Sequence, residues 1–121
     1  MTRDPIPTDK FDLAAIDHAR SLGFPALNDH IPALLQWLQD PNWPVFANTA
    51  ELLADAGPAL LPHIRAVFAG DDSEWTWALL SGLCPLLPDE VLVRLSPDID
   101  ALAARYRDHD IHNVIKSLPL T

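Results

Sequence analysis

The sequence predicts an all-α protein, a short HEAT-like α-solenoid of stacked antiparallel helix pairs with about eight helices. Three observations carry this. Apolar residues recur at helical spacing along most of the chain, and no stretch of useful length alternates as a strand does. Twelve prolines, and fourteen aspartates against three glutamates, punctuate those stripes, as expected of many short helices with frequent starts and stops. Trp43 and Trp75 lie 32 residues apart, each just after an Asp-containing turn, and Pro32 and Pro62 lie 30 apart, early in the preceding helices. Helix-turn-helix units of this kind stack into α-solenoids; the period is shorter than the roughly 40–47 residues of HEAT repeats. Residues 1–121 are read as one domain, with 28–56 and 58–84 as the two clearest units and 88–106 as a shortened third.

Residues 1–7 form a loose lead-in without the apolar run of a signal peptide. Thr8 or Asp9 is expected to cap a first helix reaching Leu22, with Phe11, Ala15, Ala19 and Leu22 on one face. Gly23 ends it. Asn28 or Asp29 caps a second helix to about Gln39, where Ile31, Leu34, Leu35 and Leu38 make a core stripe and Trp37 lies beside it in the core. Asp40-Pro41-Asn42 is turn chemistry.

The third helix spans 44–56. Phe46, Ala50 and Leu53 face inward, and Asn48, Glu51 and Asp55 face out. Gly57 closes it. Leu60, Ile64, Val67 and Phe68 define the fourth helix, which either kinks at Pro62 or begins near Leu61. Asp72 or Ser73 caps the fifth, with Trp75, Ala78, Leu79 and Gly82 on one face. Gly82 costs about 1 kcal/mol against Ala in a helix interior, so a close neighbouring helix is expected there. Pro88-Asp89-Glu90 starts a sixth helix. Ser96-Pro97-Asp98 caps a seventh bearing Ile99, Leu102, Ala103 and Tyr106. Asp110 caps an eighth bearing Ile111, Val114, Ile115 and Leu118.

The net charge is −9, and residues 28–100 carry it, with eleven acids against Arg65 and Arg94. Such a body repels phosphate backbones, which argues against nucleic acid and for a basic protein partner. No run approaches the roughly 20 apolar residues of a membrane span. A single cysteine, Cys84, allows no internal disulfide and favours a reducing, cytoplasmic setting.

Several stretches resemble a known family: Pro7-Thr8-Asp9-Lys10-Phe11-Asp12-Leu13-Ala14, Leu35-Gln36-Trp37-Leu38-Gln39-Asp40-Pro41-Asn42-Trp43-Pro44-Val45, Leu61-Pro62-His63-Ile64, Glu74-Trp75 and Leu80-Ser81-Gly82-Leu83. The family is one of small bacterial proteins, domain of unknown function 5071. The resemblance covers nearly the whole chain in order, without a firm pattern past Tyr106. It implies a HEAT-like helical fold, no established activity and no catalytic residues.

The residues themselves offer little chemistry. Cys84 sits in an apolar neighbourhood and reads as a buried small residue. Ser81-Gly82 lacks the strand-turn-helix context of a nucleophile elbow. His109 and His112 have helical ligand spacing, but His18, His30 and His63 are scattered, so no metal site and no cofactor is expected. Glu51 and Asp55 share a helix face and read as solvated. The chain is therefore expected to be non-catalytic.

The function expected is that of a protein-binding module, one version being an immunity protein that neutralises a bacterial toxin. A general adaptor or scaffold is the alternative, and an enzyme with an unrecognised site is the last. The binding surface is placed on the second helices of the two units: Asn48, Glu51 and Asp55 on one, Glu74, Trp77 and Ser81 on the next, with Asp71 and Asp72 at the same end. These would form a carboxylate rim around one exposed indole, Trp77. Trp43 and Trp75 are assigned to structural stapling. Oligomeric state is not legible.

Overall fold

The computed structural model describes residues 5–107 and 110–118. Among them there is no strand, and the helical segments number seven. They are α1 (Leu13–Leu22), α2 (28–38), α3 (Phe46–Ala54), α4 (57–69), α5 (73–86), α6 (89–105) and α7 (Asp110–Ser117). Among the described residues no helix is long and apolar enough to cross a membrane.

Seven replaces the expected eight because Ser96-Pro97-Asp98 does not break the chain. Leu95 (φ −86°, ψ −6°) and Ser96 (φ −50°, ψ −48°) both stay in the right-handed helical region, and no side chain caps the second half of α6. A tight turn over Val93–Leu95 hands the path to Ser96–Arg105. Pro97 removes a donor where few intrahelical bonds are lost, so the backbone stays in the helical region across the seam.

The start of α1 also differs. Asp12 is its cap, not Thr8 or Asp9: Asp12 Oδ1 accepts from Ala15 N at 3.2 Å, and Oδ2 accepts from Thr8 N and Oγ1, both at 3.1 Å. The buried face is Ala15, Ile16 and Ala19, while Phe11 is 67% exposed and Leu22 46%. Phe11 lies ahead of the helix, so the expected spacing from it has no meaning. In α4 a tight turn over Gly57–Leu60 leads into Leu61–Ala69, which puts Pro62 in the first turn and avoids a kink. Gly57 turns the chain at φ +65°, a left-handed conformation that a side chain would strain.

The core is centred on α3, which packs against α1, α2, the lead-in to α4, and α5. Phe46, Thr49, Ala50, Leu52, Leu53 and Ala54 are buried, while Ala47 and Glu51 stay exposed, so α3 is amphipathic with a broad buried face. The stripes of α2 and α4 are buried as expected. In α5 an α-helical Ser73–Ala78 widens to a π-helical Leu79–Leu83, where Gly82 meets the Phe46 ring of α3. This is the close approach that the mid-helix glycine implied. Arg65 of α4 donates to Asp98 Oδ2 and to the Arg94 carbonyl, both at 3.0 Å, and so ties α4 to α6.

Candidate functional site

The turn between α2 and α3 is set by short-range hydrogen bonds. Asp40 Oδ1 accepts from Asn42 N at 2.9 Å, the Asp40 carbonyl accepts from Trp43 N at 3.1 Å, and the Trp43 carbonyl accepts from Phe46 N at 2.9 Å. The Trp43 ring leans on Trp37, with centroids 5.5 Å apart at 59°. Trp37 is half-buried in this aromatic pair rather than part of the core, and so corrects its expected place.

At the start of α5, Asp72 is the cap: its Oδ1 accepts from Trp75 N at 3.0 Å. With the helix so fixed, Glu74 and Trp77, three residues apart, lie on one side. Trp75 turns elsewhere. Its indole Nε1 donates to the Leu35 carbonyl at 3.3 Å, and it lines a separate groove of about 220 Å³ with Pro32 and His63. Trp43 and Trp75 are therefore not equivalent. One precedes its helix and the other lies inside one, and they line different clefts.

Glu74 and Trp77 face the α2–α3 turn across a cleft of about 690 Å³. Asp40, Asn42 and Trp43 form one wall, Glu74 and Trp77 the second, and Asp110 at the start of α7 a third. Trp77 is half-buried, packed against the core on one side and lining the cleft on the other. Three carboxylates and two indoles thus share one concavity, and no Lys, Arg or His is among the described residues that line it.

The other residues expected at the site are not gathered there. Asp71 receives a hydrogen bond from Arg105 Nη2 at 3.0 Å, and Arg105 Nη1 also donates to the carbonyls of Phe68 (3.4 Å) and Gly70 (3.0 Å). Asp72 is occupied as a cap beside the cleft. Glu51 lies 4.0 Å from Arg20 of α1, so it faces away from α5. Asn48 and Asp55 do not line the cleft, nor does Ser81, whose Oγ donates to the Ala78 carbonyl at 3.4 Å. The single rim along two helices is replaced by a cleft at one end, because Glu51 on the exposed face of α3 lies toward α1 rather than α5. Sequence reasoning missed Trp43, Asp40 and Asp110. The Asp-turn-Trp grammar marked the first two as a turn, and nothing local pairs Asp110 with residues some seventy positions earlier.

Among the described residues, no three His, Cys, Asp or Glu side chains come close enough to share a metal ion. His112 Nδ1 lies 3.3 Å from the Ala103 carbonyl, while His109 is outside the described residues. Cys84 is fully buried, and burial pushes its thiol up to about 12, so it stays protonated at neutral pH.

No curated protein matches the chain. The model of the family described as Domain of unknown function (DUF5071) matches residues 5–118, nearly the whole length, and the chain belongs to that family.

Proposed function

We propose that this chain is a non-catalytic protein-binding module, a short HEAT-like α-solenoid that meets a basic partner protein through the cleft between the α2–α3 turn and α5. The observation that carries the reading is the composition of that cleft: the indoles of Trp43 and Trp77 with Asp40, Glu74 and Asp110, on a chain of net charge −9. Aromatic anchors in a concavity supply desolvated contact area, and surrounding acids set orientation and association rate. Consecutive packing of α2 on α3 and of α4 on α5 supports the solenoid reading. An immunity protein that covers a toxin is the concrete form that a small acidic module of this kind takes, and a reducing cytoplasm suits its free Cys84.

The test compares capture from the native host by the parent, Trp77→Ala and Glu74→Lys chains, followed by titration with the identified partner. Trp77→Ala is expected to cost at least about 2 kcal/mol of affinity, and Glu74→Lys to slow association. Variants that fold and bind like the parent refute the reading. The immunity form further requires that the captured protein be toxic when expressed without this chain.

A further inference from the structure

We infer that the cleft takes the guanidinium of an arginine presented by the partner, seated on the Trp43 and Trp77 indoles and held by Asp40, Glu74 and Asp110. This rests on the reading that the cleft is the partner-binding surface, and it names what enters.

The first argument is aromatic. Trp43 and Trp77 come from different elements and line one cavity, with Trp43 braced by Trp37 at 5.5 Å. Indole faces attract cations, and the planar guanidinium both stacks on them and meets them more often than an ammonium does.

The second is charge complementarity. Three carboxylates arrive from three separate elements, and no described lining residue is basic. Arg105, at the α4–α5 junction, is not among them, being committed to Asp71 and to the Phe68 and Gly70 carbonyls.

The third is spacing. Asp40, Glu74 and Asp110 line one cleft, yet they do not converge closely enough to share a metal ion. Acceptors spread around a concavity suit an extended cation with several fixed donors. Arginine carries five N–H donors in a planar fork on a long stem, whereas lysine is a compact, strongly hydrated point charge. A cleft of about 690 Å³ leaves room for the side chain and its flanking peptide.

The experiment titrates the full chain with N-acetyl-argininamide and follows the indole N–H signals of Trp43 and Trp77 by NMR. The corresponding lysine and citrulline compounds are run beside it; citrulline keeps the shape and loses the charge. Saturable shifts of both indoles are expected, with the citrulline compound at least about tenfold weaker and the lysine compound between the two. Glu74→Gln, a change at an exposed position, should weaken the arginine compound at least about threefold and leave the citrulline compound unaffected. Equal binding of the arginine and citrulline compounds, or no movement of either indole, overturns the inference. If the arginine compound fails while Trp77→Ala still loses the partner, the cleft remains the interface and the arginine is wrong. If the arginine compound binds but Trp77→Ala keeps the partner, the cleft reading fails and the inference falls with it.

Discussion

Replacing Gly82 by Ala tests how tightly α5 is keyed to α3. A Cβ built at Gly82 runs into Cε1 and Cζ of the Phe46 ring. Phe46 is only 7% exposed and lies in the first turn of α3, so the ring has little room to withdraw. Two opposed effects must be weighed. Gly to Ala in a helix interior gains about 1 kcal/mol from propensity. Forcing a methyl into a close-packed core costs about 1–3 kcal/mol. The overlap is with ring carbons rather than the end of a flexible chain, so the upper part of that range applies. The expected net loss is about 1–2 kcal/mol, read as a lower urea midpoint at unchanged slope. Phe46→Leu shortens the obstacle, so the double variant should lose less than the sum of the single changes. A Gly82→Ala chain as stable as the parent, or more so, refutes the contact.

Three further outcomes follow from the core. Leu38→Ala, at a fully buried position, should cost about 2–5 kcal/mol in chemical denaturation, and a loss below about 1 kcal/mol would show the α2 stripe misplaced. Thr76 is fully buried and its hydroxyl has no partner among the described residues, so Thr76→Val should be neutral or stabilising by up to about 1 kcal/mol; a clear loss would reveal a hidden partner. Burial raises the Cys84 thiol from 9.0 to about 12, so the unfolded chain loses that proton first as pH rises. This stabilising contribution is intact below pH 9.0 and falls by about 1.4 kcal/mol per pH unit up to about 12; Cys84→Ala should remove that part of the slope, and identical slopes would contradict it.

What the sequence made legible was what helical periodicity governs. The stripes at Ile31, Leu34, Leu35 and Leu38, and at Leu60, Ile64, Val67 and Phe68, are buried because each repeats on one helix face whatever the neighbours are. The cap of α5 was narrowed to Asp72 or Ser73 because capping is local, and Asp72 takes the role. Asp12 was not, because Thr8 and Asp9 offer the same chemistry and only the path of the chain decides among them. The failed seam at Ser96 has a related cause: proline signals a first turn but says nothing of whether a helix already precedes it. The site was half legible. Glu74 and Trp77 share a face by spacing alone, but the wall opposite comes from a turn and from α7, and only tertiary packing brings those together.

The cleft and the core are also joined along the chain. Trp43 precedes Phe46 by three residues, and the Trp43 carbonyl accepts the Phe46 N–H at 2.9 Å, so the indole of one wall is anchored to the start of α3. Trp77 precedes Gly82 by five residues on α5, and Gly82 is where α5 rests on the Phe46 ring. Both tryptophans thus stand within five residues of one contact, Phe46 against Gly82. Glycine lets the helices approach to a separation that any side chain would increase. Gly82, half-buried and without a side chain, is therefore what lets α5 rest on the ring that follows Trp43 by one turn.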